Sequence, residues 1–236
     1  MDKFINVDFN KKNLDIYFIR TSIFRSLKKF LPQANGKMLD VGCGKMPYKK
    51  FILENSSVDE YVGLDIEGAL EYEKDLKPDV TWNGEVIPAE DDSYECAMAT
   101  EVLEHCPNPE QVMKEVLRVL KPGGVFFFTV PFLWNLHEVP NDEYRYTPFA
   151  LERLFKKAGF ENIELKATGG WHGTMAQMLG LWVRRSPMKS GKRKFLSLIL
   201  KPVIRYLINL DKPEQVVFRE GQMISGLYGI AKKEKS

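Results

Sequence analysis

Apolar residues recur along this chain with two alternating periods. From Leu14 to Leu31, Ile16, Ile19, Ile23, Leu27 and Leu31, with Phe18, Phe24 and Phe30, fall at helical spacing, while Arg20, Arg25, Lys28 and Lys29 lie mainly elsewhere. This predicts one or two amphipathic helices ending before Pro32, because the residue ahead of a proline is driven out of the helical region. Met38 to Val41 is a short apolar run stopped by Gly42 and Gly44. It predicts a buried strand that turns into a helix over about Pro47 to Glu54. Tyr61 to Ile66 is a second strand, carrying Asp65 at its end, and residues 67–78 are charged, predicting a turn with at most a short helix. Val80 to Trp82 is a weak strand signal; Cys96 to Thr100 is a strand of small residues suited to a sheet centre. The run from Asn108 to Leu120 places Val112, Val116, Leu117 and Leu120 on one helix face, with Pro109 near its start and Gly123-Gly124 beyond its end. Val125 to Val130 is continuously β-branched or aromatic, and therefore central in a sheet.

Residues 131–148 break the rhythm: a long connection with little periodicity and dense chemistry, including His137, Glu138, Asp142, Tyr144 and Arg145. Thr147-Pro148 then caps a helix from Phe149 to Ala158, closed by Gly159, and Phe160 to Ala167 is another strand. Residues 169–173 read as a Gly-rich loop and Thr174 to Val183 as a helix. Phe195 to Leu210 is a helix whose narrow polar stripe comprises Lys194, Ser197, Lys201, Arg205, Asn209 and Lys212, with Pro202 expected to bend it. A strand from Leu227 to Ala231 closes the chain. Strands alternating with helices over short connections specify an α/β fold, a parallel sheet covered by helices. The expected organisation is a single domain, 1–236, with an N-terminal helical extension over 1–34 and a helical insertion over 168–217 between the last two strands.

Composition adds mainly exclusions. With 236 residues and a formal charge of +2, the whole chain shows no general bias toward nucleic acid or an anionic membrane. The exception is the basic stretch 184–194 ahead of the apolar helix, so 195–210 could pack on the rest of the chain, lie on a membrane surface as a peripheral contact, or form a homodimer interface. Cys43, Cys96 and Cys106 follow no metal spacing, and their odd number argues against a disulfide framework, which suits a reducing, cytoplasmic setting. Residues 1–12 are polar and expected to be loosely ordered, without the basic-then-apolar pattern of a signal peptide, and no run is long enough to span a bilayer.

The candidate chemistry sits where strands end. Gly42, Asp65, Asn83 and Glu101 all fall at the carboxyl ends of expected strands, the edge at which open α/β sheets bind ligands. A Gly-rich turn lets a backbone approach a ligand closely, and an acid about twenty positions later suits a ribose diol. Proline at 47 departs from a dinucleotide fingerprint, which would need glycine there.

Together these residues resemble a known family. Leu39-Asp-Val-Gly-Cys-Gly44, Gly63-Leu-Asp65, Gly84-Glu85-x-Ile87-Pro88, Thr100-Glu-Val-Leu-Glu-His-Cys-Pro107 and Leu117-Arg-Val-Leu-Lys-Pro-Gly-Gly124 resemble, in order, the motifs of class I S-adenosylmethionine-dependent methyltransferases of the small-molecule, type 11-like group. The resemblance implies a Rossmann-like seven-stranded, mostly parallel sheet with an antiparallel last strand, in the order 3-2-1-4-5-7-6. It implies that Asp40, Gly42, Cys43 and Gly44 surround the methionine portion of S-adenosyl-L-methionine, that Asp65 with Ile66 meets the ribose, and that Asn83, Gly84 and Glu85 flank the adenine. Glu101, Val102 and His105 would line the same pocket. Met46 stands where relatives often have a third glycine.

The implied reaction is methyl transfer to an oxygen or nitrogen of a small-molecule acceptor, sugar-linked or lipid-linked. Such an acceptor can require a base, and His137 is the candidate because neutral imidazole accepts a proton near pH 7. Tyr144 and Arg145 could orient the acceptor, and His172 could reach it; an ion pair from Arg145 to Glu138 or Asp142 is the structural alternative for that residue. Three histidines dispersed in sequence predict no metal. Two other readings are a non-catalytic cofactor-binding protein and a nucleic-acid methyltransferase; the second would want a basic groove with stacking aromatics, and no nucleic acid is expected.

Overall fold

In a computed structural model the protein is described over residues 4–66 and 77–235. The expected turn over 67–78 lies, up to residue 76, outside the described residues, as do positions 1–3 of the polar start.

Seven strands form one sheet in the order β3-β2-β1-β4-β5-β7-β6, with the last strand antiparallel. They are β1 (Asn35–Val41), β2 (Ser57–Ile66), β3 (Val80–Trp82), β4 (Tyr94–Thr100), β5 (Leu120–Pro131), β6 (Asn162–Ala167) and β7 (Gly226–Lys232). The helices are α1 (Tyr17–Phe30), α2 (Lys49–Asn55), α3 (Pro109–Val119), α4 (Pro148–Ala158), α5 (Trp171–Arg185) and α6 (Ser190–Leu210). In the central parallel strands, Leu39 lies opposite Val62 on one side and Ala97 on the other, and Ala97 opposite Phe126. Val41, Ile66 and Thr100 therefore finish at neighbouring points on one edge.

The chain divides into two compact units. One comprises Leu27–Val130, His137–Leu165 and Tyr228–Ser236. Its core is aromatic: Phe126, Phe127, Phe128 and Phe155 are all fully buried, and Phe128 stacks on Phe155 at 4.2 Å between ring centroids. Two helix ends here are set by local sequence. Asn108 Oδ1 accepts from the Gln111 N–H ahead of α3, and Thr147 Oγ1 from the Ala150 N–H ahead of α4, which Gly159 closes at φ +103°. β5 begins five residues earlier than its apolar run, because Leu120 already pairs with Tyr94 before the register shifts.

The other unit comprises the residues up to Ser26, Pro131–Leu136 and Lys166–Leu227. Leu14, Ala176, Val183 and Ile204 form its buried centre, with Leu179, Leu196, Leu200 and Ile208 packed around them. α5 starts at Trp171, so Trp171, His172 and Gly173 are its first turn rather than loop. The reason is a cap remote in sequence: Asp211 Oδ1 accepts from the backbone N–H groups of Gly170 at 3.1 Å and Gly173 at 2.8 Å. α6 carries Pro202 internally and buries Ser197 and Ile204. Part of its expected polar stripe also faces protein: Arg205 lies over the rings of Phe9, 4.1 Å from the centroid, and Tyr17. Several other apolar side chains of α6 are exposed, Phe195 by 62% and Tyr206 by 63%. No helix of the described residues is long and apolar enough to cross a membrane.

Candidate active site

The turn after β1 is built by backbone sterics. Gly42 and Gly44 take φ of +67° and +48°, and Met46 adopts +48°, the left-handed conformation its glycine counterpart would take without strain. The turn is held to β2 by the N–H groups of Gly42 and Cys43, both donating to Leu64 O, and closed on itself by Met46 N–H donating to Cys43 O at 2.7 Å. Neither Gly42 nor Gly63 tolerates a side chain. A Cβ on the first would sit 2.6 Å from Val102, and one on the second 2.7 Å from Met46 Sδ and 2.9 Å from Cys43 Sγ.

Asp65, at the end of β2, reaches back to this turn: its Oδ2 accepts from Gly44 N–H at 2.9 Å and its Oδ1 from Ile66 N–H at 2.9 Å. Each oxygen keeps a further lone pair, so the carboxylate is fixed yet can accept from two hydroxyls. Ile66 beside it is 49% exposed, an apolar surface facing open space, since a Cβ on Gly84 would meet only Ile66 Cγ2, at 4.0 Å. Asn83 turns its Oδ1 onto the backbone N–H groups of Glu85 and Val86 at 3.0 and 3.1 Å, shaping the loop after β3. An unstrained glycine cradle, an anchored carboxylate and an exposed isoleucine suit the amino-acid, ribose and base portions of an adenosyl sulfonium.

Asp40, expected beside the methionine portion of the ligand, turns its carboxylate toward Tyr61 on β2. It is 2% exposed and accepts a short hydrogen bond from the Tyr61 hydroxyl inside the sheet. Burial raises its pKa to about 7, against the lowering effect of that hydrogen bond. Cys43 is also buried, and burial pushes its thiol well above the usual range.

At the end of β4, Glu101 adopts φ +56°, unusual for a residue with a side chain. Its backbone N–H donates to Thr129 O, and its Oε1 accepts from Thr129 Oγ1 at 2.7 Å, so β5 holds the strained residue. The chain then makes a single 3-10 turn, Leu103–His105, onto which the 137–148 connection is stitched. Glu143 and Tyr144 donate their N–H groups to Glu104 O at 2.9 and 3.1 Å, the buried Tyr146 hydroxyl donates to Leu103 O at 2.8 Å, and Tyr144 Oη donates to Pro107 O.

This stitching gathers residues far apart in sequence. The rings of His105 and His137 meet edge to face, 4.6 Å between centroids. Arg145 makes two parallel bonds to Asp142, at 2.7 and 2.8 Å, the structural alternative read from the sequence; Asp142 also accepts from His137 N–H and lies 3.3 Å from His137 Nδ1. Arg145 holds the Asp142 carboxyl far below its usual range. Burial, and then the His105 charge, lower the pKa of His137, which keeps its ring neutral at physiological pH. Glu104 is fully buried, and burial followed by the Glu101 charge raises its pKa well above the carboxylate norm.

Of the residues expected on the acceptor side, His137, Tyr144 and Arg145 thus share one unit with the cofactor cradle, and Arg145 is committed to Asp142. His172 is exposed on the first turn of α5, in the other unit. Asp142 enters the sequence reading only as a partner for Arg145; Tyr61, Thr129 and Glu104 are not singled out there, and of these only Glu104 carries a signal, its place in the Thr100–Pro107 motif. A hollow of about 420 Å³ on the outer face of α4, lined by Phe149, Glu152, Arg153, Lys156 and Lys157, holds none of these groups.

Residues 16–165 match a family described as a methyltransferase domain. The chain is 31% identical over 150 residues to the sterol 24-C-methyltransferase of Aspergillus fumigatus, covering 53% of this chain and 40% of that enzyme. It is 27% identical over 208 residues to the demethylmenaquinone methyltransferase of Lactococcus lactis, covering 70% of this chain and 82% of that one. Some curated relatives are thus matched over only about two fifths of their own length. The fold is that of Haemonchus contortus phosphoethanolamine N-methyltransferase 2 solved with S-adenosyl-L-methionine, at a TM-score of 0.56 and 18% identity over 91% of this chain and 53% of that one. With a family match over more than half its length and the glycine turn, Asp65 and Glu101 on one sheet edge, the chain belongs to the methyltransferase-domain family and has the fold of class I S-adenosylmethionine-dependent methyltransferases.

Proposed function

We propose that the protein methylates an oxygen or nitrogen of a lipid-linked acceptor. The observation that carries the donor half is the Asp65 carboxylate anchored on Gly44 N–H beside the exposed Ile66. In this reading Asp65 accepts from the ribose hydroxyls, Ile66 and Gly84 offer an apolar seat to the adenine, Asn83 and Glu85 border it, and the backbone of Gly42, Cys43 and Gly44 lines the amino-acid portion. S-adenosylmethionine supplies an electrophilic methyl group. The protein contributes alignment and water exclusion: Val102 closes against Gly42, and Glu101 is locked by Thr129. His137 is the acceptor-side group, neutral and steadied by Asp142. Calorimetric titration of S-adenosylhomocysteine into the purified chain should show one site per chain; a folded protein giving no heat would overturn the reading.

The acceptor half rests on exposed apolar surface. On α5, Trp171, Met175, Met178 and Trp182 recur at helical spacing and are each 46–55% exposed, and α6 exposes Phe195, Leu198, Ile199 and Val203. Arg185, Lys189, Lys192 and Lys194, also exposed, lie at the junction of the two helices. Apolar faces beside exposed cations fit the surface of an anionic bilayer, where a lipid-linked acceptor would be presented. Sterols and demethylmenaquinone, named for two relatives, are acceptors of that apolar kind. A cytoplasmic setting agrees with three free cysteines. The protein should sediment with vesicles containing phosphatidylglycerol, less so at high salt, and Phe195→Glu with Leu198→Glu should abolish this. No sedimentation, or a dimer that shields these residues, would refute the membrane contact.

A further inference from the structure

The geometry points to a divalent transition-metal site formed by Glu104, His105 and His137, at the acceptor side of the methyl-transfer centre. One ligand atom from each of the three lies within 4.8 Å of the other two. Three features make this more than a chance grouping.

The Glu104 side chain is fully buried, and among the described residues neither carboxylate oxygen has a hydrogen-bond partner. An orphan carboxylate inside a protein forfeits its hydration without compensation. The Glu143 and Tyr144 N–H groups beside it are spent on the Glu104 backbone oxygen.

The two imidazoles are oriented from behind. His105 Nδ1 lies 2.8 Å from Asn141 O, a carbonyl, so Nδ1 donates there and Nε2 is turned to the carboxylates. Nε2 faces Glu104 Oε1 at 3.7 Å and Glu138 Oε2 at 3.8 Å. A shared cation would draw this nitrogen and the two carboxylates together. Beside His137, Asp142 provides a fixed negative charge, itself held by the two bonds from Arg145. A carbonyl or carboxylate behind each ligating histidine is the usual outer support of a metal site.

The spacing also suits an ion. Nitrogen and oxygen ligands about 2.0–2.2 Å from a tetrahedral centre lie roughly 3.4 Å from each other, slightly closer than His105 Nε2 and Glu104 Oε1 now stand. Contacts of 3.7–3.8 Å are too long for hydrogen bonds and need only a small contraction to become ligand edges. Two imidazoles with one or two carboxylates favour borderline ions such as Zn²⁺, Mn²⁺, Fe²⁺ or Co²⁺ over Ca²⁺. Glu138, at φ +49° and with its carboxylate toward His105, is the natural fourth ligand, exchangeable for an acceptor oxygen.

The site deepens the methyl-transfer reading and rests on it for its role. An acceptor hydroxyl bound to the ion would lose its proton more readily, so His137 would act as a ligand rather than as the base. The Thr100–Pro107 and His137 segments thus become two halves of one centre.

The full-length protein, stripped with a chelator, is titrated with Co²⁺ and followed by its visible ligand-field bands, with Zn²⁺ and Mn²⁺ titrated by calorimetry. One Co²⁺ per chain is expected, with bands typical of nitrogen and oxygen ligands. His105→Ala and His137→Ala should each weaken binding by more than about tenfold, and Asp142→Asn by about tenfold; Glu104→Gln, close in shape, should do so with the fold intact by circular dichroism. Absence of cobalt bands and of heat from wild type would overturn the site, leaving Glu104 a protonated buried acid. So would binding that survives undiminished in both histidine variants. Titration of S-adenosylhomocysteine into the metal-free protein separates failure of this site from failure of the methyltransferase reading.

Discussion

Asp65→Ala should lower the affinity for S-adenosylhomocysteine by about 100-fold, measured by calorimetry, while the protein stays folded. Two charge-assisted hydrogen bonds at roughly 1.5–3 kcal/mol each set that scale, discounted because water replaces part of the interaction. The carboxylate is already positioned by Gly44 N–H and Ile66 N–H, so little ordering is needed on binding. Asp65→Asn should fall between, since its amide oxygen still accepts one bond without the charge. The same truncation frees Gly44 N–H at the surface of the turn, where water satisfies it, so stability should drop by no more than about 1 kcal/mol. An unchanged affinity in the alanine variant would show that the ribose is held elsewhere.

Asp40→Asn should make the protein more stable at pH 8 and remove a pH dependence that the wild type carries. In the folded state the Asp40 pKa is raised from 3.8 to about 7, chiefly by burial, with Asp65 adding to it and the Tyr61 hydroxyl opposing it. The sign follows from which state holds the proton. Below pH 3.8 folded and unfolded chains are both protonated, and the site exacts no penalty. Between that value and about 7 the unfolded chain ionises while the folded chain keeps its proton, so stability falls as pH rises. Above about pH 7 the loss is complete, on the order of 4 kcal/mol for roughly three pH units. Asparagine keeps an acceptor for the Tyr61 hydroxyl and cannot ionise. Urea unfolding of both proteins at pH 5 and pH 8 checks this: the variant's advantage should grow between the two, and a constant difference would refute the assignment.

The two cases differ in how they could be found. Asp65 was visible because its role depends on distances along the chain: a strand of fixed length, a tight turn, and an acid at the next strand's end. Asp40 was equally visible as a motif residue, but its direction was not. Whether that side chain faces ligand or interior depends on Tyr61, 21 positions away on the neighbouring strand and opposite Met38 in register. Met46 shows a middle case. The sequence marks it as a departure from glycine, and the structure keeps glycine's left-handed backbone there, with the side chain packed over Gly63.

What the sequence determined by itself is what local physics decides. Helical and alternating periods, the caps at Asn108 and Thr147, the stop at Gly159 and the break at Gly42-Gly44 depend on a few neighbouring residues and specify a parallel sheet covered by helices, while its strand order is what the family resemblance implies. What only the tertiary structure decided are the contacts between residues distant in sequence. Asp211 caps α5 from 38 residues away and draws Trp171 to Gly173 into the helix. His105 and His137 looked dispersed because 32 positions separate them, yet parallel strands β4 and β5 end side by side and deliver both to one point. Glu104 is an ordinary motif glutamate in the sequence and a buried, unsatisfied carboxylate in the fold, because its burial is set by the 137–148 connection packed over it. Local pattern can name a residue's element; its charge state and its ligands are set by neighbours that only the folded chain supplies.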